Sequence, residues 1–205
     1  MNERKWMVLL GAALLVSPAA CSKQEPTKPE PAALQAFNDD FASPAIDQTK
    51  WNLSTGDGTA VLSGGKLTLS APCGTFPYLT SKVNPFPSQG DFVLTVGIRY
   101  TTTPGAGTGF GPDWVNRGGF WVWQDANGFS AQVGDSSVTL TGNDLSYHVF
   151  EWRYVAGTYS LNVDGVSKGS SQSSFRPTSI FFGHVPYASC PWTAQEIDFV
   201  HIAPL

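Results

Sequence analysis

The chain carries little charge for its length. Charged side chains make up 14% of its 205 residues, and 12 Lys and Arg against 16 Asp and Glu give a formal net charge of −4. No basic run appears, and a basic patch or run is what nucleic-acid-binding proteins use to hold phosphates. The sequence therefore argues against a nucleic-acid partner.

The short motifs of several catalytic classes are also absent. The three histidines, His148, His184 and His201, stand singly, without the spacing typical of metal ligands. No Gly-x-Ser-x-Gly elbow is found, and no phosphate-binding glycine motif precedes a helix. We therefore expect the three histidines to be structural.

A sustained helical period of apolar residues is missing, whereas strand patterns recur. A hairpin with a glycine turn is predicted over Ala60–Ser70, and the glycine-rich stretch from Pro104 to Pro112 is predicted to be a long loop. We expect the longest strand to be Phe92–Tyr100, with one face formed by Phe92, Leu94, Val96, Ile98 and Tyr100. Further strands are predicted at Gly119–Gln124, Phe129–Val133, Val138–Leu140, His148–Tyr154, Thr158–Val163, Ser179–His184 and Glu196–Ile202. Roughly ten to thirteen short strands without helices predict an all-β sandwich or barrel.

The first forty residues indicate export. A basic start at Arg4 and Lys5 is followed by an apolar run, Trp6–Val16, and by small residues up to Ala20. This order is typical of a secretory signal peptide, which we assign to residues 1–20. The apolar run is too short for a membrane-spanning helix, which takes about 20 residues.

The end of this signal resembles the lipobox of bacterial lipoproteins, through Ala19, Ala20 and Cys21. The resemblance implies that Cys21 becomes the first mature residue and carries lipid, palmitate included, and Ser22 after it resembles an outer-membrane sorting pattern. Proline and charge alternate from Lys23 onward, so residues 21–35 are predicted to be an extended tether. The alternative is ordinary cleavage after Ala19 or Ala20, which would release a soluble secreted or periplasmic protein.

Cysteine parity supports lipidation. The chain has three cysteines, an odd number for an exported protein, and assigning Cys21 to the lipid leaves Cys73 and Cys190. In an oxidising compartment we expect these two to pair, and the disulfide would stabilise the domain by ~2–5 kcal/mol. The alternative is a pair of buried free thiols. Residues 36–205 have the length of one domain.

Several segments of that domain resemble concanavalin A-like domains of bacteria. The similarity runs through Asp39-Asp40-Phe41, Lys50-Trp51, His148–Trp152, Tyr159–Gly165 and Ile197–Ile202. The resemblance implies an all-β, two-sheet antiparallel jelly-roll sandwich. Its members include laminin G-like modules, lectins and the glucanases that cut β-1,3 and β-1,4 glucans.

The glucanase branch carries its two catalytic carboxylates on one mid-domain strand, as Glu-x-Asp-x-x-Glu. Here Glu196 and Asp198 begin such a pattern, but His201 stands where the second glutamate belongs. Glu151, the other glutamate after residue 35, is expected to form a cross-strand ion pair with Arg153. The sequence therefore favours a protein without catalytic residues.

Sugar-binding grooves combine aromatic rings with polar side chains. Two segments have that combination, Asp113–Arg117 and Tyr187–Trp192, and between them Trp121 and Trp123 share one strand face. These two rings are either a sugar platform or core residues, depending on which way that face points. The candidate groove residues are Trp114, Trp121, Trp123, Trp192, Tyr187, Asp113, Asn116 and Arg117.

Several relatives of this fold hold a structural calcium ion. By that resemblance, Asp39, Asp40 and Asp198 are the candidate ligands, and no other cofactor is required. The leading hypothesis is a monomeric, membrane-tethered, non-catalytic lectin-like domain that binds carbohydrate or an envelope glycan. The alternatives are a structural or protein-interaction module of the envelope and a divergent glycoside hydrolase that acts on β-glucan through Glu151.

Overall fold

The structure is a computed structural model. It describes residues 37–72, 77–101, 108–112, 120–125, 128–133, 136–141, 145–184 and 193–205. These segments form fifteen strands arranged in two antiparallel sheets. The all-β two-sheet jelly roll expected from the sequence is confirmed. Among the described residues, no helix is long and apolar enough to cross a membrane.

The larger sheet has eight strands, in the order β13-β12-β11-β6-β15-β4-β3, with β1 paired to the far end of β15. Strand β15 pairs with β6 along one side and with β4 and then β1 along the other. The strands are β1 (Phe37–Asp39), β3 (Thr59–Ser63), β4 (Lys66–Ala71), β6 (Phe92–Tyr100), β11 (His148–Val155), β12 (Thr158–Val163), β13 (Val166–Gln172) and β15 (Thr193–Pro204).

The smaller sheet has seven strands, in the order β10-β9-β8-β7-β14-β5-β2. Three of its six neighbouring pairs join strands that are not consecutive in the chain, because β14 lies between β7 and β5 and β5 pairs with β2. The strands are β2 (Trp51–Ser54), β5 (Tyr78–Ser81), β7 (Thr108–Pro112), β8 (Phe120–Asp125), β9 (Gly128–Val133), β10 (Ser136–Thr141) and β14 (Ile180–His184).

Aromatic side chains from the two inner faces meet in the core. Phe110 of the smaller sheet lies edge-on to Phe150 of the larger sheet, with ring centroids 4.9 Å apart, and to Trp152 at 5.7 Å. Phe182 stacks on Phe110 at 5.9 Å. Trp51 and Trp152 are both buried.

The alternation along β6 is confirmed in full. The strand runs from Phe92 to Tyr100, and its five alternating apolar side chains all belong to the core. The glycine-turn hairpin is confirmed as β3 and β4, where Gly64 and Gly65 take positive φ angles of 60° and 73°. These angles suit glycine because it has no Cβ.

Three expectations about strands are wrong. The longest strand is β15, with 12 residues, because a register shift between Ile197 and Phe199 lets it continue past an irregularity. The predicted loop 104–112 contains strand β7 from Thr108 onward, since backbone pairing outweighs the low strand propensity of its glycines. The described residues also form fifteen strands rather than ten to thirteen, because β1, β2, β5 and β13 are short or polar and were not recognised in the sequence.

A glycine in the larger sheet has a close aromatic neighbour. A Cβ at Gly97 would overlap the ring of Phe199, which is itself buried, whereas a Cβ at Gly169 would meet nothing within 4 Å. We predict that Gly97→Ala destabilises the fold by about 1–3 kcal/mol through overpacking. Gly169→Ala should be neutral or slightly stabilising.

Urea unfolding of the two variants and the wild type measures this difference. Equal unfolding midpoints for Gly97→Ala and Gly169→Ala would contradict the packing described at Phe199.

Candidate functional site

The seven-stranded sheet has an outer face, on the side away from the larger sheet, that is rich in aromatic residues. On β8, Val122 belongs to the core, so its neighbours Trp121 and Trp123 point outward. On β14, Phe182 belongs to the core, and Phe181 points outward. The open question about the two tryptophans is thereby answered: their common face is turned away from the sandwich interior.

On β5, Leu79 belongs to the core, so Tyr78 also points outward. We call the four outward-facing aromatics the aromatic row: Tyr78, Phe181, Trp121 and Trp123. Tyr78 stacks on Phe181, with ring centroids 6.1 Å apart and an interplanar angle of 23°. Phe181 and Trp121 follow at 5.9 Å and 36°. Tyr78 is 38% exposed and Trp123 is half-buried. Phe181 and Trp121 are only 5% and 6% exposed, so the accessible rings are those of Tyr78 and Trp123.

Two glycines make room for the buried rings of the row: Gly109 on β7, the strand next to that of Trp121, and Gly183 on β14, the same strand as Phe181. A Cβ at Gly109 would overlap the indole of Trp121, and a Cβ at Gly183 would overlap the ring of Phe181. Each ring therefore approaches the backbone of its glycine more closely than a Cβ would allow, an approach that only glycine permits. The glycine-rich sequence of β7 is explained in part by this contact.

Uncharged polar side chains lie on both sides of the row. Cross-strand pairing puts Ser54 beside Tyr78 and puts Ser130 and Gln132 beside the two tryptophans. Further out, Asn52 pairs with Thr80 and Thr139 pairs with Ser130. The outer face therefore offers flat apolar rings between hydroxyl and amide groups, which is the chemistry that recognises a sugar ring.

Comparison with known proteins identifies the architecture. No protein-family model and no curated protein sequence matches the chain. Solved structures do match: the β-glucanase of Bacillus licheniformis superposes with a TM-score of 0.57 at 13% identity, covering 82% of this chain and 98% of that one. The chain has a concanavalin A-like jelly-roll fold.

Two further structures illustrate how widely this jelly roll is used. A β-1,3-glucanase from Mycobacterium marinum matches with a TM-score of 0.62 at 12% identity, covering 82% of this chain and 98% of that one. The carbohydrate recognition domain of Emp46p, in its metal-free form, matches with a TM-score of 0.59 at 14% identity, covering 82% and 99%. At such identities the matches establish the fold alone.

The predicted groove residues are only partly within the described chain. Trp121 and Trp123 lie in the aromatic row, whereas the other six groove residues fall outside the described ranges, as do Cys21, Cys73 and Cys190. Sequence reasoning missed Tyr78 and Phe181. A signal for Phe181 was present, because two successive aromatics, Phe181 and Phe182, must face opposite sides of a strand.

The three carboxylates proposed as calcium ligands are not gathered at one point. Asp39 accepts hydrogen bonds from the amide of Phe41 at 2.8 Å and from Nε1 of Trp51 at 2.7 Å. Asp40 Oδ1 lies 2.7 Å from His201 Nε2, and Asp198 lies at the register shift of β15. Within the described ranges, no group of three His, Cys, Asp or Glu side chains could hold a metal ion. These residues therefore do not fit a shared calcium site.

The other sheet carries a charged cluster on its outer face. Glu196 Oε1 accepts hydrogen bonds from Tyr147 Oη and from Arg99 Nε, the latter at 3.1 Å, and Lys66 Nζ lies 3.8 Å away. Lys66 Nζ and Arg99 Cζ also lie 4.1 and 4.7 Å from the centroid of the Tyr147 ring. Glu196 is thus held in a cross-strand ion pair rather than free for chemistry.

Glu151 is likewise occupied. Its Oε1 accepts a hydrogen bond from Asn162 Nδ2 at 3.0 Å and lies 3.6 Å from Arg153 Nη1. The ion pair with Arg153 exists, but the expectation that it crosses strands is wrong, because both residues belong to β11. Phe150 and Trp152 face the core, so Glu151 points away from it, on the sheet opposite the aromatic row.

The environment of Tyr147 generates a prediction about stability at high pH. Burial, and then the hydrogen bond to the Glu196 carboxylate, raise the pKa of Tyr147 above its ordinary value of 10.0. Unfolding above that pH therefore releases a proton, so the free energy of unfolding falls as pH rises, and below it this contribution is constant. We predict that Tyr147→Phe has a flatter decline than the wild type.

Urea unfolding from about pH 8 to about pH 12 measures that decline. Tyr159→Phe is a second test of the same effect, because burial also raises the pKa of Tyr159. Each variant should remove the part of the pH-dependent decline in stability that its own tyrosine contributes. A slope in Tyr147→Phe equal to that of the wild type would count against the described environment.

Proposed function

We propose that this chain is a membrane-tethered, non-catalytic carbohydrate-binding domain, and that its glycan lies on the outer face of the seven-stranded sheet. The observation that carries the proposal is the aromatic row, because it ends in accessible rings at Tyr78 and Trp123. Pyranose rings present C–H faces that stack on such rings.

The rest of that face supports the same ligand class. The buried pair, Phe181 and Trp121, holds the row in place, so that Tyr78 has a preorganised neighbour to stack on. Ser54, Gln132 and other polar side chains lie where sugar hydroxyls would need partners. A half-apolar, half-hydroxylated molecule complements this surface better than a purely apolar one does.

The structural neighbours agree with a carbohydrate ligand at the level of the fold. Two are named glucanases and one is a carbohydrate recognition domain. The jelly roll therefore serves both glycan cleavage and glycan binding in other proteins. The choice between cleavage and binding therefore has to be argued from the residues of this chain.

Those residues favour binding. Glycoside hydrolysis uses two carboxyl groups on either side of the sugar bond, about 5–5.5 Å apart in retaining enzymes. Glu151 and Glu196 belong to the other sheet and are engaged with Asn162 and Arg99. On β8, the positions that face away from the core are instead occupied by two tryptophans, Trp121 and Trp123.

The binding surface is tested by removing its accessible rings. Tyr78→Ala and Trp123→Ala are each expected to weaken glycan affinity about tenfold or more, because each removes a stacking surface. A glycan array chooses the ligand from β-glucans, cell-wall fragments and host glycans, and calorimetry measures the affinities. Tyr147→Ala is the control, since it removes a half-buried ring on the opposite sheet.

Three outcomes would overturn the proposal. One is a wild type that binds no sugar at millimolar concentration, and another is an equal loss of affinity in the Tyr147→Ala control. The third is reducing-sugar release from laminarin that Glu151→Gln abolishes, which would show a hydrolase.

The tether is the second part of the proposal. Its support is the lipobox-like Ala19-Ala20-Cys21, the odd cysteine count and the alternation of proline and charge that follows. We place the lipid on Cys21 and the domain at the outer membrane. A lipid on one cysteine adds hydrophobic binding energy with each buried methylene group, and more than one chain is needed for stable anchoring.

Replacing Cys21 tests the tether. Cys21→Ala is expected to move the protein from the membrane fraction to the soluble fraction and to abolish labelling with a clickable palmitate analogue. Ser22→Ala is the matched control and should keep both the label and the membrane association. Membrane association that survives Cys21→Ala would contradict lipid anchoring.

A further inference from the structure

The first described strand, β1, is short, although it is the strand that follows the predicted tether. It has three residues and pairs with one partner, β15, from Phe37 opposite Ile202 to Asp39 opposite Val200. The tether predicted for residues 21–35 precedes this strand directly in the sequence, so a force applied through the tether would act on β1. Three antiparallel pairs are few for such a junction, so side-chain contacts have to contribute.

One set of contacts centres on Trp51, the first residue of β2 in the other sheet. Its Nε1 donates to Asp39 Oδ2 at 2.7 Å, and its ring meets Phe37 edge-on with centroids 5.1 Å apart. Phe41 packs on the same indole at 6.0 Å. Trp51 thus holds the residues on both sides of Asp39, and it joins the start of the larger sheet to the smaller one.

Two further contacts lie on either side of this one. Lys50 Nζ donates to the carbonyl oxygen of Asn38 at 2.8 Å. Beyond the strand, Asp40 Oδ1 lies 2.7 Å from Nε2 of His201, whose side chain is only 4% exposed. We call Asp39, Asp40, Lys50, Trp51 and His201 the clasp.

The clasp contains two of the three residues expected to bind calcium. Calcium takes six to eight oxygen ligands at about 2.3–2.6 Å. Here both oxygens of Asp39 accept N–H donors, and an imidazole nitrogen lies against Asp40. The Lys50 ammonium beside Asn38 adds a positive charge to the same region. The donor set suits N–H groups rather than a cation.

We propose that the clasp fastens the N-terminal strand to the sandwich by side-chain hydrogen bonds, in place of a metal ion. The charge-assisted contacts at Asp39 and Asp40 are of the stronger kind. They tie β1 to β2 and to the end of β15, so that three distant parts of the chain resist its displacement together. This inference is independent of the sugar-binding face.

Hydrogen–deuterium exchange of the full-length chain tests the proposal at β1 itself. Trp51→Phe keeps an aromatic ring but removes the donor to Asp39, and amide exchange in residues 37–41 and 199–203 is expected to accelerate about tenfold or more. Trp152→Phe is the matched control. That tryptophan is equally buried, and its Nε1 has no hydrogen-bond partner in the part of the chain that the structure describes.

A second pair of variants keeps the test informative if Trp51→Phe does not fold. His201→Gln is expected to accelerate exchange in residues 37–41 in the same way. His148→Gln breaks another 2.7 Å histidine–aspartate contact, between His148 Nδ1 and Asp164 Oδ2. It should leave exchange at β1 unchanged and act near β11 instead.

The wild type with and without calcium completes the experiment. Exchange at residues 37–41 and the melting temperature should be the same in EDTA and in about 1 mM calcium chloride. Protection at β1 that appears only with calcium and is lost in Asp39→Asn would overturn the proposal in favour of a metal site. Equal exchange at β1 in Trp51→Phe and Trp152→Phe would overturn it as well.

Discussion

Packing between the two inner faces is the interaction on which the rest of the structure depends. Phe110 from one sheet meets Phe150 and Trp152 from the other, and Phe182 stacks on Phe110. Because side chains alternate along a strand, fixing these residues inward fixes their neighbours outward, and a slip of one residue would exchange the two sets. The aromatic row is therefore a consequence of the core register, since Phe181 points outward because Phe182 points inward.

Two glycines determine how the outward-pointing aromatic rings pack on the smaller sheet. Aromatic rings that point away from the core would ordinarily stand upright beside side chains of the next strand. At Gly109 and Gly183 the missing Cβ lets the rings of Trp121 and Phe181 approach the backbone, and both rings are buried on the outer face of the sheet. A rigid layer of this kind lowers the entropy cost of presenting Tyr78 to a ligand. Gly109, one of the residues that lower the strand propensity of β7, is thus the residue that makes room for the ring of Trp121.

Features that depend on neighbouring residues in the sequence could be predicted, whereas features that depend on pairing between distant strands could not. The alternation along β6 and the Gly64-Gly65 turn can both be recognised within nine residues of sequence. The length of β15 cannot, because its register shift depends on pairing with β6, β4 and β1 at once. The aromatic row was half predicted for a similar reason. Its members on β5 and β14 become neighbours of β8 only through a strand order that no local pattern shows.

The two outer faces differ in the chemistry of their described side chains. On the larger sheet, carboxylates are paired with cations across and along strands, as Glu196 is with Arg99 and Glu151 is with Arg153. On the smaller sheet, the described side chains beside the aromatic row are hydroxyls and amides. The sequence Glu196-x-Asp198 thus resembles the start of a catalytic motif, but Glu196 forms an ion pair with Arg99 on the neighbouring strand. Glycoside hydrolysis uses two carboxyl groups at the sugar bond, and the two described glutamates, Glu151 and Glu196, lie on the larger sheet rather than on the face for which glycan binding is proposed.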